Sequence, residues 1–260
     1  MRKYERALVT GASAGIGEAF AEQLARGGTH LILVARRADL LEGLASRLRD
    51  ECGVEVEVLQ ADLADREQLA RVEQRLADPD SPVDLLVNNA GVGETQPFVN
   101  CPIDSEERTV LVNALAPARL SHVALASMNK RNFGGIINIS SMAGQLPAFR
   151  NSATYGATKA FLCSLSESLR LEAKEQKSKV TVSVVCPGYV KTPMTANITL
   201  PSIAWVKREK VVRDALRGVA RNKPLVIPGV LYKAAAAGAR LMPRGLVRLF
   251  SSDAPADQPA

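Results

Sequence analysis

Histidine and cysteine are scarce in this chain of 260 residues: there are two histidines, His30 and His122, and four widely spaced cysteines, Cys52, Cys101, Cys163 and Cys186. Neither an H-E-x-x-H pair nor a C-x-x-C pair occurs, so a zinc protease, a zinc cluster and a histidine-based triad all lack their parts. The cysteines read as small buried hydrophobes, not as a disulfide framework. Aromatic residues make up only 4%, and the net charge of +6 comes from basic residues scattered along helical faces, which argues against nucleic acid as a partner. The basic excess still suits a phosphorylated cofactor or an anionic substrate such as an acyl thioester. No run approaches the roughly 18 to 20 apolar residues of a membrane span, and no long apolar stretch precedes the first glycine turn. The expectation is a soluble, cytoplasmic protein without metal chemistry, whose 47% hydrophobic residues suffice for a sizeable core.

What the chain does have is alternation. Ala7–Thr10, Leu31–Ala35, Val54–Ala61, Val83–Asn88, Gly135–Ser140, Val180–Cys186 and Leu225–Ile227 are short β-branched or leucine-rich runs and are predicted strands. The longer amphipathic stretches between them are predicted helices, one of them opened by an Asp65/Gln68 capping box and ending near Asp78-Pro79. Such alternation implies right-handed crossovers and an α/β fold: a Rossmann-type, doubly wound parallel sheet with helices on both faces. Repeats and linkers are lacking, so residues 1–250 read as one domain. Within it, 193–223 are expected to form a helical substrate lid, 230–250 a basic apolar C-terminal helix, and 251–260 a disordered tail.

Thr10-Gly11-Ala12-Ser13-Ala14-Gly15-Ile16-Gly17 follows the first strand and opens a helix. Glycines there allow a sharp turn and close backbone approach, while the helix start offers free N–H groups to a pyrophosphate. At the end of the second strand, where an NAD enzyme places an acid, stand Arg36 and Arg37. A guanidinium at that point can hold a 2′-phosphate, which favours NADP(H); the alternative is a solvated basic pair at the next helix entrance. Tyr155 and Lys159 are four residues apart in a segment of helical periodicity and so share one face. Taken alone, that pair is more often a solvated helix pair than a catalytic one.

The order of the motifs decides the matter. The T-G-x-x-x-G-I-G turn, Asn88-Asn89-Ala90-Gly91, Ser140-Ser141, Tyr155-x-x-x-Lys159 and Pro187-Gly188 together resemble the short-chain dehydrogenase/reductase family, from Lys3 to about Thr195. The resemblance implies an NADP(H)-dependent oxidoreductase in which Tyr155 passes the proton, Lys159 lowers the phenol's pKa and holds the nicotinamide ribose, and Ser141 donates to the substrate oxygen. Ser140 is the competitor for that last role, since fourteen residues separate Ser141 from Tyr155. Asn113 is implied to hold a water relay to the lysine, with a helix-kinking amide as the alternative. For the cofactor, the resemblance implies Gly11, Ser13, Gly15, Ile16 and Gly17 at the pyrophosphate turn, Arg36 and Arg37 at the 2′-phosphate, and Asp62 with Leu63 at the adenine. It adds Asn89, Ala90 and Gly91 along the adenosine side and Pro187, Gly188, Val190 and Thr192 at the nicotinamide amide. For Asp62 and Asn89–Gly91, plain turn roles compete.

The substrate is expected to be a lipophilic ketone, a 3-oxoacyl thioester or the corresponding alcohol. Leu146, Pro147, Phe149, Met194, Ile203 and Trp205 form a candidate apolar wall, or else simple lid packing. The segment 230–250 can pack on the domain, on a second subunit or on a membrane surface. A homodimer or homotetramer is implied by the family. Two rival readings stand: an alcohol dehydrogenase working oxidatively with the same residues, and an NADP(H)-sensing binding protein of little catalytic power.

Overall fold

Uninterrupted apolar runs build the centre of the molecule. The computed structural model describes residues 4–146 and 151–241. Its strands β1 (Arg6–Thr10), β2 (His30–Ala35), β3 (Val56–Gln60), β4 (Leu85–Asn88), β5 (Gly135–Ile139), β6 (Thr181–Val185) and β7 (Leu225–Val226) form one parallel sheet of order β3-β2-β1-β4-β5-β6-β7. β4, β5 and β6 are buried at every residue, as strands covered on both faces must be. Several strands are shorter than their apolar runs: Val54, Val83 and Cys186 are buried yet lie just outside the strands.

Period-two alternation sorts the side chains into two cores. Ala7 and Val9 of β1 with Leu31 and Leu33 of β2 face one layer, made of α1 (Gly15–Arg26), α2 (Ala38–Cys52) and α7 (Arg208–Ala220). Leu8, Ile32 and Val34 face the other, which includes α3 (Arg66–Ala77) and α5 (Ala116–Arg131) through Leu69, Val72, Leu76, Leu120 and Met128. Local signals end the helices where expected. Asp65 caps α3 by accepting from the Gln68 amide at 2.9 Å, although the Gln68 side chain reaches the amide of Asp62, not that of Asp65, so the reciprocal half of the box is redirected.

The helix α4 (Ile103–Val110) runs into α5 through one wide π-turn at Leu111–Leu115. Among the described residues this continuous helix, Ile103–Arg131, is long and apolar enough to cross a membrane by length and composition, but half of its apolar window is buried in the domain. Its apolar character comes from packing on the sheet. α6 (Ala153–Glu175) is tied beneath β5 by a buried chain in which Asn138 donates to Ser166 at 2.9 Å and Asn88 donates to Asn138 at 2.8 Å.

The expected lid is divided. α7 buries Val211, Val212, Ala215 and Val219 completely against the sheet, so it belongs to the helical layer; its amphipathic face made it sheet-seeking. Residues 193–205, with short 3-10 turns at Pro193–Thr195 and Ser202–Ala204, are left of the expected lid before α7. The C-terminal helix α8 spans Val230–Leu241, and the remainder of the expected basic helix, the tail, Pro147 and Phe149 lie outside the described residues.

Candidate active site

The chain leaves β1 toward β2 and β3, then returns to β4 on the other side of β1, which opens a crevice at the strands' carboxyl ends. Thr10 and Asn89 fix its width. The Thr10 hydroxyl accepts from the amides of Asn89 and Ala90, both at 3.0 Å, while Asn89 Nδ2 donates to the Thr10 carbonyl at 2.9 Å. A cavity of about 400 Å³ occupies the crevice and reaches from Asp62 to Tyr155. Of the expected catalytic and cofactor-binding residues, all but Gly17 and Asn113 line it.

At the turn after β1, Gly11 and Gly15 adopt φ of +66° and +63°, a region costly for any other residue. Gly17 acts differently: it is buried, and a Cβ there would run into the Gly11 carbonyl, so it permits helix and turn to touch instead of facing the cavity. Ala14 begins α1 without a side-chain cap, which leaves the first N–H groups of the helix available to an anion. Arg36 and Arg37 are exposed at the cavity's edge, and Arg37 donates to the Ser13 hydroxyl at 3.0 Å. Arg108, which no motif signalled, also lines the cavity and pairs with Asp62 at 2.6 Å.

At the opposite end α6 brings Tyr155 and Lys159 together, with the ammonium 5.6 Å from the phenol ring centre. Tyr155 lies within hydrogen-bonding reach of Ser141. Burial raises the phenol's pKa above its ordinary 10.0, and the Ser141 contact opposes that rise. Lys159 is 3% exposed and donates to the Ile139 carbonyl at 2.9 Å; burial lowers its pKa from 10.5 to about 8. Ser140 is turned the other way. Its hydroxyl donates to the Lys159 carbonyl at 2.7 Å, so of the two serines Ser141 is the one free to face Tyr155.

Asn113 belongs to the wide turn that joins α4 to α5. In the π-turn its amide grips Val92 on both sides, accepting from the amide at 2.9 Å and donating to the carbonyl at 2.7 Å. Its reach is set by the wide turn, a feature common at functional sites, and its side chain holds the Gly91–Val92 wall. The loop after β6 places Pro187, Gly188, Val190 and Thr192 along the cavity, while the Thr192 hydroxyl also meets Thr195 at 3.4 Å. Tyr232 of α8 braces this loop: its hydroxyl accepts from the Tyr189 amide at 3.2 Å and donates to the Ala204 carbonyl at 2.6 Å. Of the expected apolar wall, Met194 lines the cavity, Ile203 is exposed, and Trp205 packs edge-on against Tyr189 with ring centres 6.2 Å apart.

A glycine turn, a Tyr–Ser–Lys cluster and a loop after β6 thus meet at one crevice, and the family model for short chain dehydrogenase matches residues 5–202. The chain belongs to the short-chain dehydrogenase family. A very-long-chain 3-oxoacyl-CoA reductase of Anas platyrhynchos is 34% identical to this short-chain dehydrogenase over 215 residues, 81% of this chain and 67% of that protein. Among solved structures, a short-chain dehydrogenase from Sphingobium yanoikuyae in complex with NADPH is 37% identical with a TM-score of 0.82, covering 98% of both chains. The bulky-bulky ketone specific alcohol dehydrogenase from Comamonas testosteroni is 35% identical with a TM-score of 0.80, covering 100% of this chain and 98% of that one.

Proposed function

We propose that this short-chain dehydrogenase is an NADP(H)-dependent oxidoreductase that reduces a bulky lipophilic ketone or a 3-oxoacyl thioester to the alcohol. The observation that carries the proposal is the single cavity joining the Tyr155–Ser141–Lys159 cluster to an uncapped helix start and an arginine pair. These residues fit the cofactor: the turn with Gly11 and Gly15 and the open N-terminus of α1 suit a pyrophosphate, and Arg36 with Arg37, where an acid would repel it, suit a 2′-phosphate. The cofactor when bound supplies the hydride. Ser141 and Tyr155, which interact side chain to side chain at the cavity wall, hold the substrate oxygen and stabilise the charge that grows on it. Tyr155 then gives that oxygen its proton. Lys159, charged and dry, offsets the negative charge left on the phenol, and Pro187–Thr192 orient the nicotinamide end. The oxidative direction uses the same residues in reverse.

The substrate class rests on the half-exposed Met194 at the cavity wall and on what the relatives' names say they act on. We place the enzyme in the cytoplasm as a homodimer or homotetramer. Val110, Leu115 and Phe161 support that assembly: all three are exposed, and Val110 and Phe161 line one apolar groove with Ala114 and Ala157.

Fluorescence titration with NADPH and NADH, followed by NADPH oxidation against bulky ketones and 3-oxoacyl thioesters, tests the proposal. Selective NADPH binding with turnover is expected. Binding without turnover would favour the sensing role, and no binding would overturn the proposal.

A further inference from the structure

Two thiols that the hydride chemistry does not use meet beside the crevice. Cys163 stands on α6 four residues beyond Lys159, and Cys186 immediately precedes the Pro187–Thr192 loop. Their sulfurs are 3.6 Å apart, and the Gln145 side chain donates to both, at 3.1 Å to Cys163 and 3.5 Å to Cys186. Met142, Val184 and Ala236 pack around them. The pair is joined to the site on two sides. Ser140 Oγ, which donates to the Lys159 carbonyl at 2.7 Å, lies 3.3 Å from Cys163 Sγ, and the Pro187 carbonyl accepts from the Met142 amide at 2.9 Å. The contact with Cys186, then those with Ser140 and Gln145, outweigh burial and hold the Cys163 pKa below its ordinary 9.0. Cys101, beside Glu106, is pushed the other way, up to about 11. Cys163 also keeps 8% of its surface open where Cys186 has none, so attack on a small oxidant begins at Cys163.

We propose that Cys163 and Cys186 are an oxidative modification site, closing to a disulfide that hydrogen peroxide forms and a dithiol reduces, and that closure disables the adjoining crevice. The Cys163 thiolate attacks the peroxide: an S–O bond forms, the O–O bond breaks, and the departing hydroxide takes up a proton to leave as water. Cys186 then attacks the sulfenic acid, forming the S–S bond and releasing the second oxygen as water. The two thiols lose two electrons and the peroxide gains them. Closure shortens the sulfur separation from 3.6 Å to about 2 Å, which draws α6 and the start of the loop together. Lys159 lies one turn earlier on that helix and Pro187 next to Cys186, and both line the cavity. A misplacement of about 1 Å at such a site can cost about 10²-fold in rate. The loss of rate rests on the reading of the crevice as a reductase site, whereas the bond itself does not.

The test treats the full chain with hydrogen peroxide, alkylates the remaining thiols after denaturation, and maps the peptides by mass before and after dithiothreitol. NADPH-dependent ketone reduction is followed in parallel for the wild type, Cys163→Ala and Cys186→Ala. The wild type should yield one peptide linked through Cys163 and Cys186 and lose turnover by about tenfold or more, and dithiothreitol should reverse both. Each alanine variant should keep its own starting rate under the same treatment. Survival of both thiols, a sulfinic acid at Cys163 without the link, a linked protein of undiminished rate, or variants inactivated as fast as the wild type would overturn the proposal. Wild-type protein that reduces no ketone before oxidation would instead sink the reductase reading, and the linked peptide would then decide the bond alone.

Discussion

Raising the pH through about 8 should switch off ketone reduction by taking the proton from Lys159. The ammonium is 3% exposed, its neutral hydrogen-bond partner is the Ile139 carbonyl, and among the described residues no carboxylate pairs with it, so burial dominates and the charged form is disfavoured. A pKa of about 8 leaves Lys159 ~90% charged at pH 7 and ~10% charged at pH 9, so a rate that needs the charge falls about tenfold between them. Tyr155 does not obscure the limb, because burial raises its own pKa above 10.0. Stability runs in the opposite direction. The folded pKa lies below the unfolded value of 10.5, so the native state binds fewer protons than the unfolded chain between about 8 and 10.5, and folding strengthens as pH rises through that window. The assay is kcat/KM for ketone reduction from about pH 6 to about pH 10 at constant ionic strength, with urea midpoints measured alongside. Lys159→Arg, whatever its absolute rate, should lack the descending limb because guanidinium stays charged. A flat wild-type profile, or the same limb in Lys159→Arg, would refute the assignment of the charge to Lys159.

Three further outcomes are expected. Tyr155→Phe should keep NADPH affinity by fluorescence titration while turnover drops at least ~10²-fold, since only the proton donor is removed; lost binding with surviving turnover would show that the roles are misassigned. Arg36→Asp should shift the ratio of NADPH to NADH dissociation constants toward NADH by about 10- to 100-fold, the range for a hydrogen bond between charged groups, and an unchanged ratio would remove the phosphate-clamp argument. Gly188→Ala would drive a Cβ into the Tyr232 ring, an overpacking cost of about 1–3 kcal/mol in urea unfolding. Adding Tyr232→Ala should then cost less than the sum of the two changes, and strict additivity would deny the contact.

The fold was legible because the period-two strands and the amphipathic helices agree locally with their final places, as in Leu31–Val34, whose alternate residues enter opposite cores. The lid was misjudged at α7 because an amphipathic helix looks the same whether it covers a substrate or a sheet. The resemblance favoured Ser141 over Ser140, but the hydrogen bond that ties Ser140 to the Lys159 carbonyl lay outside any local pattern.

Asn113 and Arg108 mark the same boundary. Val92 grips Asn113 from 21 residues away, and Arg108 reaches Asp62 across 46, distances at which no local pattern reports contact. Tyr232 meets Gly188 from a helix beyond residues 5–202 of the family match. The sequence by itself determined the sheet, the glycine turn, the arginines after β2 and the pairing of Tyr155 with Lys159, because each depends on spacing within a strand, a turn or one helical face. Only the tertiary structure decided that Ser140 is tied to the Lys159 carbonyl, how dry Lys159 is, and what holds Asp62, because burial and long-range pairing exist only once the elements have packed.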